Sequence, residues 1–125
     1  MILYPTVDEV IATHALLIAR FGGSQGIRDR GALESALARP QSGYYADIIQ
    51  EAAALWESLS QNHPFLDGNK RVAVTVTAAF LKVNGYRLEF DDAEVFSFLA
   101  GLYETRTLNF NQLESWLRKH VVPAD

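Results

Sequence analysis

The sequence contains no cysteine among its 125 residues. That absence excludes disulfide scaffolds, thiolate zinc sites and cysteine nucleophiles. Basic residues are also few, since 11 Lys and Arg stand against 15 Asp and Glu and give a formal net charge of −4. A chain with this negative net charge lacks the excess of basic residues with which proteins bind the phosphate backbone of nucleic acids. We therefore expect no direct nucleic-acid partner.

A long hydrophobic run is missing as well. The longest nearly apolar stretch, 72–81, is about half of what a membrane span needs, and residues 1–10 lack the pattern of a secretory signal. We therefore expect a cytoplasmic protein with no membrane partner. An apolar fraction of 49% and a charged fraction of 21% are ordinary for a folded chain. The length suits one domain, so we predict a single domain over residues 1–125.

Apolar residues recur at helical spacing along most of the chain. Residues 69–84 are apolar nearly all round, which predicts a helix buried in the middle of a bundle. The other five patterns are amphipathic. Residues 86–90 predict a short extended piece, and the chain as a whole is expected to contain at most a vestigial strand pair. We therefore predict an all-α, six-helix bundle with a buried central helix. The predicted helices lie near residues 6–21, 31–39, 48–62, 69–84, 91–102 and 110–117.

One segment, His63 to Arg71, does not behave like a generic loop between two helices. Lys70 and Arg71 lie in the first turn of the predicted buried helix, where cations oppose the helix dipole at a cost of about 0.3–1 kcal/mol each. A helix N-terminus with a nearby glycine and two cations is suited to bind phosphate. Asp67 can hold a divalent cation that bridges phosphate oxygens, and His63 can accept a proton near neutral pH.

Parts of this pattern also have purely structural explanations. The tripeptide 67–69 alone is an ordinary turn and cap. His14 and His120 lie within helical patterns and are interpreted as surface or hydrogen-bonded side chains. The glycine-rich segment 22–26 lacks the spacing of a P-loop and is interpreted as a plain loop. The functional interpretation therefore depends on the combination of residues in 63–71.

The nine consecutive residues HPFLDGNKR, 63–71, resemble the central motif of the Fic/Doc family. The segment 26–37 and the overall length resemble the death-on-curing (Doc) toxin branch, so the likeness covers most of the chain. The resemblance implies the all-α Fic fold over residues 1–125, with ATP and Mg²⁺ as cofactors. It implies the following roles: His63 as the base, Asp67 as the magnesium ligand, and Gly68, Asn69, Lys70 and Arg71 as the ATP phosphate cradle.

The Doc branch implies protein kinase activity, in which the γ-phosphoryl group of ATP passes to a threonine of translation elongation factor Tu. It also implies a toxin that a cognate antitoxin holds inactive. The adenylyl-transferring Fic pattern has glycine where Lys70 stands and a second arginine where Val74 stands, so we favour the kinase. An adenylyltransferase and a catalytically silent binding module remain alternatives. A metal phosphohydrolase is disfavoured, because the three histidines are well separated.

Overall fold

The computed structural model describes residues 1–124 and confirms the all-α prediction. Within these residues it contains six α-helices, a short 3-10 turn and two three-residue strands. The elements follow in the order α1 (Val7–Phe21), α2 (Arg30–Ala38), the 3-10 turn (Arg39–Gln41), α3 (Ile48–Gln61), α4 (Asn69–Val83), β1 (Tyr86–Leu88), α5 (Asp92–Thr105), α6 (Phe110–His120) and β2 (Val121–Pro123).

Side-chain caps explain where most of the helices begin. The hydroxyl of Thr6 accepts from the backbone N–H of Glu9 at 3.2 Å, and the Glu9 carboxylate accepts from the Thr6 N–H at 2.9 Å. This reciprocal pair satisfies donors that α1 would otherwise leave free. Four further α-helices begin after an Asp or Asn whose side chain accepts from the first turn. These caps are Asp29, Asp47, Asp91 and Asn109.

Helix α3 forms the centre of the bundle. It packs against α2, α4 and α6, and nine of its residues are buried. The small side chains of 52–54 let neighbouring helices approach closely, and Trp56 meets Trp116 of α6 edge to face at 5.8 Å between ring centroids. Helix α4 is less enclosed than its sequence pattern predicts, since Ala79, Lys82 and Val83 are exposed.

The two strands pair antiparallel, with Tyr86 opposite Pro123 and Leu88 opposite Val121. The sequence pattern predicts an extended piece near 86–90 but gives no sign of its partner, because three residues are too few to show an alternation. Of the helices in residues 1–124, none is both long and apolar enough to cross a membrane.

A second extended contact brings the α1–α2 connection against the α3–α4 loop. Ile27 and Phe65 form an isolated antiparallel bridge, and the N–H of Leu66 donates to the carbonyl of Gly26 at 3.1 Å. The backbone N–H groups of Arg28 and Asp29 both donate to one carbonyl of the loop, that of Pro64. The predicted motif therefore lies where the end of α3, the start of α4 and the α1–α2 connection meet.

Candidate active site

His63 lies immediately after the C-terminal cap of α3, in a backbone conformation that usually belongs to glycine. Its φ is +48°, whereas Asn62 before it is still helical at φ −74°. A left-handed conformation costs a non-glycine residue about 1–2 kcal/mol. Pro64 follows and cannot continue the helix. The imidazole is exposed and, within residues 1–124, makes no hydrogen bond, so it is accessible to a substrate.

The side chain of Asn69 closes the loop on itself. Its amide oxygen accepts from the backbone N–H of Phe65 at 3.0 Å, and its amide nitrogen donates to the carbonyl of Phe65 at 3.0 Å. Both polar ends of this side chain are thus used inside the protein. Of the groups that Asn69 could offer to a phosphate, the backbone N–H and the second hydrogen of the amide nitrogen remain.

Helix α1 supports the loop from beneath through His14. This ring is 2% exposed, stacks on Phe65 at 3.8 Å between centroids, and hydrogen-bonds the carbonyl of Asp67 through Nε2 at 2.8 Å. The carbonyl accepts, so Nε2 carries the proton. A side chain on Gly68, whose φ is +77°, would approach the Ile18 methyl group to 3.0 Å. His14 is therefore hydrogen-bonded, one of the two interpretations from the sequence, but it lies in the core and not on the surface. It also holds the motif in place.

The N-terminus of α4 has no side-chain cap. Among the α-helices within residues 1–124, it is the one whose N-cap, Gly68, makes no side-chain hydrogen bond to the first turn. The backbone N–H groups of Asn69, Lys70 and Arg71 precede the first intrahelical bond, from Val72 to the carbonyl of Gly68. They form a donor site for an anion at the positive end of a helix dipole.

The Asp67 carboxylate faces the segment between α1 and α2. One oxygen accepts from the N–H of Gly68 at 2.8 Å, and the other accepts from the N–H of Ser24 at 3.1 Å. A Cβ on Gly23 would lie only 2.7 Å from this second oxygen, so glycine is required for the close approach. Each carboxylate oxygen keeps a lone pair, and Asp67 is exposed. The carboxylate is thereby fixed in direction while it stays available to a cation.

The donor set around Asp67 fits a magnesium ion that is held partly by substrate phosphates and water. No group of three or more His, Asp or Glu side chains that could hold a metal occurs in the described part of the chain. Mg²⁺ is commonly held by one or two carboxylates together with substrate phosphates and water. Asp67 beside the uncapped start of α4, where free N–H groups suit an anion, fits that arrangement and does not fit a metal held by protein ligands alone.

The two cations at the start of α4 point to different neighbours. Lys70 Nζ lies 4.3 Å from the ring centroid of Tyr103 in α5, and Arg71 Cζ lies 4.3 Å from that of Phe21 in α1. Arg20 Cζ is 5.5 Å from the same Phe21 ring. Phe21 has the spacing of the apolar residues of α1, but it is 55% exposed and its ring contacts both arginines. Both cations are exposed and border the same cleft.

Seven of the nine motif residues, all but Pro64 and Phe65, line one cleft of about 410 Å³ together with Gly22. The predicted base, metal ligand and phosphate-binding residues are thus brought together. A family model of the Fic/DOC family matches residues 4–81, which is more than half of the chain. The chain belongs to the Fic/DOC family. The matched residues include α1 to α3 and most of α4, the helices that build this cleft.

Two relatives place the chain in the Doc branch of the Fic/DOC family. Toxin Doc of Mycolicibacterium smegmatis is 43% identical over 76 residues, which are 57% of this chain and 58% of that protein. Protein kinase doc of Escherichia phage P1 is 32% identical over 98 residues, which are 75% of this chain and 77% of that protein. The chain thus spans little more than half of the length of the mycobacterial relative.

A second cavity, of about 260 Å³, adjoins the Fic/DOC motif and lies between α3 and α5. His63 and Lys70 border both spaces. Burial raises the pKa of Tyr103, while its hydrogen bond with Ser60, at 3.1 Å, acts in the opposite direction. The sequence does not single out this cavity, because its walls come from helices remote in sequence. The remaining lining residues are Gln61, Leu102, Arg106 and Leu108.

Sequence reasoning misses the residues that fix the motif from outside it. Ser24 donates to the Asp67 carboxylate, and Gly23 leaves the space that this carboxylate needs. Arg28 donates from its guanidinium to the carbonyls of Asn62 and His63. The Gly22-Gly23 pair is the one available signal, since adjacent glycines allow close backbone approach. A surface arginine that donates to carbonyls leaves no pattern in the sequence.

Proposed function

We propose that this Fic/Doc chain is the toxin of a toxin–antitoxin pair and acts as a protein kinase. It transfers the γ-phosphoryl group of ATP to a threonine hydroxyl of translation elongation factor Tu and so inhibits translation. The observation that carries the proposal is the uncapped start of α4, with Lys70 in its first turn and His63 at the same cleft. The names of the two relatives, a toxin and a protein kinase, support the same class of activity.

Each group at the cleft has a role in this reaction. The free N–H groups at the start of α4, with Lys70 and Arg71, bind the phosphates, and Asp67 would hold Mg²⁺ against phosphate oxygens. The acceptor oxygen attacks the γ-phosphorus, the bond from that phosphorus to the β–γ bridging oxygen breaks, and ADP leaves. His63 orients the hydroxyl and takes its proton. Positioning and charge neutralisation account for most of the rate, because the transition state is loose.

Lys70 favours phosphoryl over adenylyl transfer. In the first turn of α4 its side chain fills space that a glycine would leave open beside the helix N-terminus. Val74, one turn further along, stands where the adenylyl-transferring pattern has its second arginine. We infer that ATP binds with its γ-phosphate at the α4 N-terminus. The adjoining cavity between α3 and α5 offers Leu102, Tyr103 and Leu108 as walls for the nucleoside.

The test is incubation of the protein with elongation factor Tu, Mg²⁺ and ATP that carries label at either the α or the γ position. The kinase proposal expects γ label on a threonine of the factor and no α label, with His63→Ala as the inactive control. Label from the α position would show adenylylation instead. Absence of both labels, with the folded protein bound to ATP, would indicate a silent binding module.

The cognate antitoxin is the second expected partner. We propose that it is a small protein whose disordered tail folds against the toxin and blocks its activity. Induction of the chain alone should arrest growth, whereas co-expression with the antitoxin should restore it. A chain that arrests growth equally with and without every small protein encoded beside it would contradict this partner.

A further inference from the structure

Arg28, between α1 and α2, contacts the segment that carries His63 at three successive carbonyls. Its Nε donates to the carbonyl of His63 at 2.5 Å, and a terminal guanidinium nitrogen donates to that of Asn62 at 2.7 Å. Its backbone N–H donates to the carbonyl of Pro64 at 2.8 Å. One residue, 35 positions away in sequence, therefore holds both peptide planes that flank His63.

These contacts meet a specific need at the end of α3. The last carbonyls of a helix have no intrahelical partners, and the C-terminal end of the dipole favours a cation. His63 occupies the left-handed position at which glycine is usual, so its conformation needs support from outside the helix. A planar guanidinium satisfies two carbonyls at once in a fixed relative orientation, which an ammonium group cannot do.

Other contacts fix the remainder of the loop without Arg28. Phe65 is held by Asn69, and the carbonyl of Asp67 is held by His14. The guanidinium therefore acts on 62–63, before the phosphate-binding part of the loop begins. Arg28 itself is exposed, so its replacement removes no buried side chain from the core.

We propose that Arg28 is a positioning residue for His63: its guanidinium fixes the backbone on both sides of this residue and so directs the imidazole into the cleft. The effect on catalysis rests on the proposed function, because it requires His63 to be the base. Arg28 contacts the backbone of the base and not the reacting atoms. Its loss should therefore slow phosphoryl transfer and leave nucleotide binding nearly unchanged.

Four variants test this role: Arg28→Gln, Arg28→Lys, Arg28→Ala and the matched control Arg30→Gln. Arg30 is also an exposed arginine, two residues away, and its side chain makes no hydrogen bond within residues 1–124. We expect Arg28→Gln to lower kcat by about 10- to 100-fold, the scale of a misplaced catalytic group, with the Kd for Mg·ATP changed less than about twofold. The kcat of Arg28→Lys should lie between those of Arg28→Gln and the wild type. The kcat of Arg30→Gln should equal that of the wild type.

Chemical rescue separates positioning from a general loss of structure. Guanidinium ion at low millimolar concentration should restore part of the kcat of Arg28→Ala and none of that of His63→Ala. A parallel loss of kcat and of ATP affinity in Arg28→Gln would overturn the proposal. So would equal effects of Arg28→Gln and Arg30→Gln, or an unchanged kcat in both.

Two readouts do not depend on activity, so they remain decisive if no phosphoryl transfer is found and the proposed function fails. Amide hydrogen exchange in residues 62–66 should be faster in Arg28→Gln than in Arg30→Gln. The NMR signals of the His63 imidazole should shift or broaden while those of His120, far along the chain, stay fixed. Unchanged exchange and an unchanged His63 signal would show that Arg28 does not position this residue.

Discussion

Replacement of His63 by glycine should stabilise the protein while it abolishes activity. The strain at φ +48° is worth about 1–2 kcal/mol, and glycine removes it. Glycine also gives the unfolded chain more freedom, which costs about 0.4–1 kcal/mol. The middle of these ranges gives a net gain of about 0.8 kcal/mol, or about 2–5 °C in the unfolding midpoint for a chain of this size. His63→Ala keeps the strain and should leave the midpoint near that of the wild type.

The assay is thermal unfolding of the apo protein, followed by helical circular dichroism, beside measurement of phosphoryl transfer. Both variants should lose about 10²–10⁴-fold in transfer rate, which is the usual contribution of a general base. Arg106→Gly calibrates the strain, because Arg106 also has a positive φ, +58°, at the end of α5. If His63→Gly is no more stable than His63→Ala while Arg106→Gly is stabilised, the strain argument at His63 is refuted. Full transfer activity in either His63 variant would refute its assignment as the base.

Lys70→Gln and Arg71→Gln should each change apo stability by less than about 1 kcal/mol, because the lost aromatic contact and the relieved dipole repulsion nearly cancel. Titration with ATP should show sharply weaker binding in both, and a large loss of apo stability with unchanged ATP affinity would mean that the cations are purely structural. Asp67→Ala should reduce ATP affinity more with magnesium than without it, and calorimetry that finds equal losses would exclude the ligand role. At Asp47 burial alone would raise the pKa, but the α3 N–H groups and Arg118 outweigh it and hold the pKa below 3.8. The Asp47 carboxylate should therefore contribute fully to stability above that pH, and this contribution should be lost on further acidification. Unfolding midpoints measured from about pH 5 to pH 2 should fall less steeply in Asp47→Asn than in the wild type.

The helices are predictable because their signals are local. Caps such as Asp29 and Asn109 and apolar spacing at three and four residues act within a few turns, and the observed helices begin and end close to the expected residues. Burial is less predictable because it depends on partners remote in sequence. Phe21 continues the apolar spacing of α1, yet the α4 side chain that meets its ring is the exposed Arg71, and Phe21 stays 55% exposed.

The residues of the motif come together for the same local reason, since nine consecutive residues cannot spread far apart. What holds them in place could not be predicted. His14 reaches the carbonyl of Asp67 over 53 positions, and Ser24 reaches the carboxylate of Asp67 over 43. Contacts of side chains with distant backbone groups leave no periodic pattern in the sequence. The sequence therefore shows the motif residues but not the side chains that hold them in place.

The structure also changes the physical reason for expecting an anion at α4. From the sequence alone, two cations in the first turn of a helix destabilise it through their repulsion with the helix dipole. A bound phosphate would neutralise that repulsion. In the fold, each cation has an aromatic ring at 4.3 Å, and an exposed contact of this kind is worth about 0.5–1 kcal/mol, which offsets the dipole term. The cations alone therefore do not require a ligand. The stronger reason lies in the backbone of α4. The Asn69 side chain is hydrogen-bonded within the loop, and Gly68 has no side chain that could cap the helix. The first N–H groups of α4 therefore remain free to bind an anion from solvent.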